Sequence, residues 1–300
     1  MRALYGPGFT PTSGMWIAAA IVLVPLLLAG LIPKALERTV EKLPLWVRLL
    51  APGLLCVPYA LVVRPRDVVH LEWLLLYAVV PIAIACLLWQ ARHLDRARGG
   101  NWRDFLVLAV LGLSVDLRWF ERAWPPHLAV FSKMILLDAG IYGFLFVRKL
   151  DGVGFDLLLR KRDAVTGLRE FAWYTPIAVV LGLWLRFLHL HPVLPRMTTI
   201  LLAYVFTFLF IAIPEELFFR GWLQNLLERR LGRWPALLTT SVLFGLSHFN
   251  KRALHFNWRY VLLAALAGIF YGRAWRAERR VGASAITHAC VDTVWSQWLR

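Results

Sequence analysis

The chain has 300 residues, of which 59% are apolar and only 17% are charged. A typical soluble domain holds roughly 45–50% apolar and about 25% charged residues. The composition is therefore typical of a polytopic membrane protein. It excludes a disordered chain, a small disulfide-stapled secreted module and a fibrous repeat.

The positive charge does not indicate a nucleic-acid partner. Lys and Arg outnumber Asp and Glu by 34 to 18, which gives a net charge of +16. A DNA-binding protein gathers such charge on one face or one arm. Here the basic residues form small clusters between apolar runs, for example Arg229, Arg230 and Arg233. That pattern is typical of cytoplasmic loops between membrane spans, so we expect contact with a lipid bilayer and none with nucleic acid.

Ten apolar runs follow one another along the chain, and none shows a strand pattern. A helical span needs about 20 apolar residues, and lipid favours helices because their backbone groups bond internally. We therefore predict an all-α, multi-pass membrane protein with about 8–10 transmembrane helices. The runs lie at residues 14–33, 49–63, 71–91, 105–117, 128–147, 171–190, 197–219, 235–249, 258–273 and 282–298.

The longest predicted loop, residues 148–170, is polar and contains Gly152 and Gly154. It is the best candidate for a boundary between two halves of the chain. We expect an N-terminal transmembrane bundle over residues 1–169, whose role the sequence does not indicate, and a separate C-terminal helical part over residues 170–300.

Ionisable residues inside the last spans are the candidates for chemistry, because a charge within a membrane span costs roughly 2.5–3.5 kcal/mol on insertion scales. Glu216 and Arg220 are four residues apart, so they share a helix face and can form an ion pair. Glu215 is turned about 100° away from Glu216. No second arginine lies nearby in the sequence to neutralise Glu215, so we expect it to face a cavity. His288 and Asp292 also share a helix face, as an imidazole and its carboxylate would require.

Helix lengths predict that these residues meet at one depth in the membrane. A turn is expected near Gly232, with Glu215 17 residues before it and His248 16 residues after it. At 1.5 Å per residue both lie roughly 25 Å from the turn, so an antiparallel hairpin places them side by side. His288 follows Arg280 by 8 residues, which places it roughly 12 Å in from that basic cluster. Carboxylates and imidazoles gathered in this way can activate a water molecule for attack on an amide, with or without a metal ion.

At these positions the sequence resembles the CAAX protease and bacteriocin-processing family of intramembrane proteases, which includes the type II CAAX prenyl proteases. The family pattern is Glu-Glu-x-x-x-Arg, then Phe-x-x-x-His, then His-x-x-x-Asn on successive membrane helices. The first motif is matched by Glu215, Glu216 and Arg220, and the second by Phe244 and His248. The third is matched by His288 and Asp292, with Asp where the CAAX enzymes carry Asn. The resemblance covers about residues 170–300. It implies that these residues form a C-terminal helical catalytic core, in a multi-pass protein of the plasma (inner) membrane.

The resemblance implies an intramembrane endopeptidase of the metallopeptidase class that acts on a peptide or membrane-protein substrate. It implies that Glu215 is the base that activates water. It also implies that His248, His288 and Asp292 polarise that water, stabilise the oxyanion or bind a metal. A divalent ion such as zinc, held by His248 and His288, is chemically sensible. A glutamate mechanism without a metal is the alternative.

Two other functions remain open at this stage. The first alternative is a catalytically silent relative, that is, a membrane immunity or scaffold protein that binds a peptide. The second alternative is a transporter with a polar site in mid-membrane. The transporter is disfavoured because residues 1–170 contain no second copy of interrupted helices. The substitution Glu215→Gln distinguishes the silent relative from a protease, because a scaffold should tolerate this near-isosteric change and a protease should not. A zincin site is excluded because no His-Glu-x-x-His motif is present.

Overall fold

The computed structural model describes residues 11–299 apart from residues 64–69, 96–98, 126 and 252–254. This part of the chain is 80% helical and has no strand, so the prediction of an all-α polytopic protein is confirmed. Its helices are α1 Ser13–Leu31, α2 Pro33–Lys42, α3 Leu45–Val63, α4 Leu71–Leu94, α5 Trp102–Asp116, α6 Val130–Val147, α7 Lys161–Trp184, α8 Met197–Leu231, α9 Arg233–Leu246, α10 Trp258–Glu278 and α11 Val281–Trp298.

Each of the ten predicted apolar runs corresponds to one of these helices, and α2 is an additional, polar helix. Among the described residues, five helices are long and apolar enough to cross a membrane, namely α1, α3, α4, α6 and α8. The expected number of spans was larger, about 8–10. The difference comes from helices that are short, such as α9, or that carry polar and charged residues, such as α7, α10 and α11.

The predicted loop over residues 148–170 is partly wrong, because α7 already begins at Lys161. The carboxylate of Asp163 accepts a hydrogen bond from the backbone N–H of Arg160 at 2.8 Å. This cap satisfies an otherwise free amide at the start of the helix, so the polar segment that follows Arg160 is helical although it is not apolar.

The chain divides into two compact units, one that ends at Leu150 and one that begins at Asp151. In the first unit, α4 packs against α3, α5 and α6, and α1 packs against α3 and α6. The buried side chain of Arg148 donates a hydrogen bond to Asp104 at 2.8 Å and another to Asp95. The three charges satisfy one another away from water and fix the segment after α6 to both ends of the α4–α5 connection.

The second unit contains α7 to α11 and is arranged around α11. Every residue from Val281 to Ala289 is buried. Helix α11 packs against α7, α8 and α10, and α9 packs against α8 and α10. Small residues permit these close contacts. A Cβ added to Gly245 of α9 would lie 2.4 Å from the carbonyl oxygen of Val261 in α10, and one added to Gly167 of α7 would lie 2.7 Å from the side chain of Ile286 in α11.

The connection between α10 and α11 is held by Arg280. Its guanidinium donates to Asp163 at 2.9 and 3.0 Å, to Asp156 at 2.7 Å and to the carbonyl of Leu158 at 2.7 Å. Burial lowers the pKa of Arg280, but the hydrogen bonds and charges of the two aspartates outweigh burial and raise the pKa above its ordinary value. Arg280 therefore remains charged and sets the position from which α11 begins.

We expect Arg280→Ala to lower the stability of the second unit by about 3–5 kcal/mol, because it leaves the carboxylate of Asp163 buried and uncompensated. Thermal unfolding of the purified protein in detergent measures this. The control is Arg162→Ala, which removes an exposed arginine from the first turn of α7. Equal unfolding temperatures for the two variants would contradict the assignment.

Candidate active site

The two adjacent glutamates lie at an irregular point of α8. They belong to a short α-helical turn, Ile213–Glu216, between two π-helical segments, Phe208–Ala212 and Leu217–Gln224. Pro214 lies in this turn and cannot donate a backbone hydrogen bond, which favours a locally altered helix. Single π-helical turns occur frequently at functional sites, where they redirect side chains.

Glu216 is completely buried and is held by three groups. Its Oε2 accepts a hydrogen bond from Arg220 Nε at 3.0 Å, as the four-residue spacing predicts. The hydroxyl of Ser284 on α11 donates to the same oxygen. Its Oε1 accepts a hydrogen bond from His288 Nδ1 at 2.9 Å. The first and third motifs are therefore joined directly through this carboxylate.

Glu215 has a different environment from Glu216. Its side chain is 27% exposed, and its Oε2 lies 4.0 Å from His288 Nε2. Its Oε1 lies 3.8 Å from the Nζ of Lys251, which is itself partly exposed. Only arginines were considered from the sequence as partners of Glu215, and the cation that the structure places beside this carboxylate is a lysine from the segment after α9.

The hydrogen bonds of the two histidines define their protonated nitrogens. His288 Nδ1 faces a carboxylate and His248 Nδ1 lies 2.9 Å from the carbonyl oxygen of Phe244. Both oxygens only accept, so both Nδ1 atoms carry a proton. In a neutral His248 ring, Nε2 is then the nitrogen with a lone pair. His288 Nε2 lies 3.5 Å from the carboxylate of Asp292, the residue predicted to share its helix face.

Aromatic rings complete the surroundings of His288. The ring of Phe244 meets His288 edge-on, with centroids 5.7 Å apart, and the guanidinium of Arg220 lies 5.3 Å from the same phenylalanine ring. Tyr271 of α10 stacks on His288 at 4.6 Å with an angle of 16° between the rings. These contacts fix the imidazole plane and bring the second motif against the first and third.

A largely apolar cavity lies beside this cluster. His248, His288 and Asp292 line it together with Tyr271. Its other walls come from α7, from the chain that follows α7, and from α10 and α11, and include Phe171, Tyr174, Val179, Phe187, Leu263, Ala267 and Trp295. A few convergent polar groups at one part of an apolar cavity are the usual arrangement of a binding or catalytic site.

Three neighbours of the motif residues were not anticipated from the sequence. Ser284 is four residues before His288, so helical spacing alone could have identified it. Lys251 is three residues after His248, but it lies in a turn, and turns carry no simple periodicity. Tyr271 is an aromatic residue within an apolar run, and nothing in the sequence distinguishes it from ordinary packing residues.

The described residues do not provide a full set of metal ligands. A proton on Nδ1 of each histidine is compatible with metal binding through Nε2, and His288 Nε2 lies 3.5 Å from Asp292 and 4.0 Å from Glu215. No group of three or more His, Cys, Asp or Glu residues that could hold a metal is found in the described part of the chain. We therefore derive no catalytic step through a metal at His248 and His288.

The comparisons with known proteins agree with the motifs. Residues 196–294 match the family model described as type II CAAX prenyl endopeptidase, Rce1-like. Comparison with curated proteins and with solved structures finds no match. The resemblance inferred from the motifs is confirmed: residues 196–294 of this multi-pass membrane protein are Rce1-like, that is, similar to a family of membrane proteases.

Proposed function

We propose that the chain is an intramembrane endopeptidase of the plasma (inner) membrane, with Glu215 as the base that activates water. In this proposal residues 170–300 form the proteolytic part, and residues 1–169 form an N-terminal transmembrane bundle. The substrate is a peptide, or a segment of a membrane protein, that reaches the site at the bilayer.

One observation carries the proposal: the two adjacent glutamates have different environments. Glu216 is locked by Arg220, Ser284 and His288, so its carboxylate has little freedom to accept a further proton. Glu215 is partly exposed and lies beside His288, which lines the cavity. Pairs of carboxylates in contrasting surroundings are typical of sites in which one residue is structural and the other exchanges protons.

The first step is the activation of water by Glu215. The carboxylate accepts a proton from a water molecule while the oxygen of that water attacks the carbon of the scissile amide. A tetrahedral intermediate results, with negative charge on the former carbonyl oxygen. Lys251, 3.8 Å from Glu215, favours the ionised carboxylate that this step requires.

The second step is the breakdown of the intermediate. The imidazole of His288 donates a hydrogen bond from its ring N–H to the developing oxyanion. The carbon–nitrogen bond then breaks, and Glu215 returns its proton to the leaving amine. The products are one new carboxylate and one new amine, and the glutamate is regenerated. Asp292 and Glu216 hold His288 so that it keeps its orientation through both steps.

We expect Glu215→Gln to reduce cleavage by about 10²–10⁴-fold, because an amide cannot accept the proton of the attacking water. The measurement is hydrolysis of a quenched fluorescent peptide library by protein purified in detergent. The matched control is Glu72→Gln, which changes an exposed glutamate of α4 in the same way. Wild-type rates in Glu215→Gln would contradict the role of Glu215. Absence of cleavage by folded wild-type protein on a broad library would favour the catalytically silent scaffold instead.

We expect removal of divalent metal ions to leave the cleavage rate within about twofold of its starting value, because in the proposed steps Glu215 supplies the base and His288 the hydrogen-bond donor. The measurement is the same assay after treatment with 1,10-phenanthroline and, separately, EDTA. A loss of activity that returns on addition of zinc would contradict the glutamate mechanism and establish a metallopeptidase.

A further inference from the structure

Helix α8 carries a row of four polar side chains that starts at the site and runs toward its C-terminal end. The row consists of Glu216, Arg220, Gln224 and Glu228, each four residues after the one before. Arg220 Nη1 lies 3.5 Å from Gln224 Oε1, and Gln224 Nε2 donates to Glu228 Oε1 at 3.1 Å. Together with the Glu216–Arg220 bond, these contacts connect His288 to Glu228 without interruption.

The π-helical segment Leu217–Gln224 explains why the row stays in line. In a regular α-helix, a residue four positions further on is rotated by about 40°, so four residues spaced in this way would spread over about 120°. A π-helical turn holds more residues than an α-helical turn. The wider turn offsets the rotation and keeps the side chains within contact of one another.

Gln224 is the uncharged link of the row, and its burial is complete. Its amide oxygen faces the guanidinium of Arg220, and its amide nitrogen faces the carboxylate of Glu228. Of the natural side chains, only Gln and Asn carry a separate acceptor oxygen and donor nitrogen at one end without a charge. Gly272 of α10 provides the space, since a Cβ there would lie 2.6 Å from Gln224 Oε1.

The outer end of the row is fixed by two arginines. Arg276 Nε lies 3.3 Å from Glu228 Oε1, and Arg279 Nη2 lies 2.8 Å from Glu228 Oε2. Both arginines lie at the C-terminal end of α10. Glu228 is therefore anchored between α8 and α10, and its side chain is only 6% exposed. The row is attached at one end to α11 through His288 and at the other end to α10.

We propose that Gln224 is a positioning residue for the candidate active site, which acts through Arg220 on the contact between Glu216 and His288. Packing alone does not require an amide at this position, because an apolar side chain of the same length fills the same space. The amide of Gln224 holds the guanidinium of Arg220 within hydrogen-bonding distance of Glu216. Glu216 in turn keeps the imidazole of His288 in place. Only the kinetic consequence of this inference rests on the proposed peptidase function.

The test compares Gln224→Met with Thr240→Val. Methionine keeps the length of glutamine and removes the amide. Thr240 lies on α9 in the same unit and is fully buried. Its hydroxyl makes no hydrogen bond in the described part of the chain, so valine removes a buried polar group that is not hydrogen-bonded to the row. Both variants make an equivalent polar-to-apolar change, and only the first interrupts the row.

Two readouts are measured on each protein in lipid bilayers. The first is the ¹⁵N solid-state NMR signal of His288 Nδ1 in histidine-labelled protein, assigned by its loss in His288→Gln. The second is kcat and KM for the best cleaved peptide. We expect the His288 signal to move and kcat to fall by about tenfold to hundredfold in Gln224→Met, with KM unchanged, because small misplacements of catalytic groups have effects of this size. In Thr240→Val we expect no change in either readout.

An unchanged His288 signal in Gln224→Met overturns the proposal, as does an equal change in both variants. If Gln224→Met does not fold, Arg279→Met serves instead, because Arg279 is 45% exposed and its loss only loosens Glu228. The same displacement, reduced in size, is then expected, and its absence overturns the proposal. If wild-type protein cleaves no peptide, the proposed function fails while the NMR comparison still decides the role of Gln224.

Discussion

The buried ion pair between Glu216 and Arg220 is the interaction on which the candidate site depends. Both side chains are fully buried, and neither charge could be kept in the membrane without the other. Because Arg220 neutralises Glu216, that carboxylate can accept hydrogen bonds from Ser284 and from His288 on α11. A single pair on α8 thereby orients the histidine and leaves Glu215 as the glutamate that remains accessible.

The backbone around this pair is adapted to it. Two π-helical segments flank the turn that holds the glutamates, and the second of them carries Arg220. Close helix contacts at Gly245 and Gly272 then bring α10 against α9 and α8, so that Phe244 and Tyr271 enclose the imidazole of His288. The π-helical segments and the small residues both bring hydrogen-bond partners close to the buried polar groups. Such partners are needed to offset the cost of removing those groups from water.

Helical periodicity in the sequence was sufficient to predict those contacts of the site that lie within a single helix. The spacing of Glu216 and Arg220, and of His288 and Asp292, predicted contacts that the structure contains. The turn at Gly232, where φ is 79°, was also predictable, since glycine adopts this conformation without strain. These features follow from local geometry, which the order of residues encodes directly.

Contacts between elements were not predictable in the same way. Lys251 approaches Glu215 from a turn, and Tyr271 stacks on His288 from a different helix. Neither position follows from spacing, because each depends on how α9, α10 and α11 pack. The polar residues 161–170 were likewise predicted to form a loop. In the structure they begin α7, because Asp163 caps the start of the helix and binds Arg280.

The number of helices that are apolar enough to cross a membrane is lower than the predicted total of about 8–10 spans, and the second unit shows a physical reason. Among the described residues of that unit, only α8 is long and apolar enough to cross a bilayer by itself. Helix α11 carries Ser284, His288 and Asp292, yet its first half is entirely buried among α7, α8 and α10. A helix surrounded by protein needs an apolar surface only where lipid touches it, and its polar residues find neighbours inside the bundle. Hydropathy therefore undercounts helices most severely where the interior is most polar, which is also where a membrane protein can perform hydrolysis. The low apolarity of α11 thus reflects the polar residues that it contributes to the candidate site, whereas that of α7 and α10 comes mainly from charged residues toward their ends.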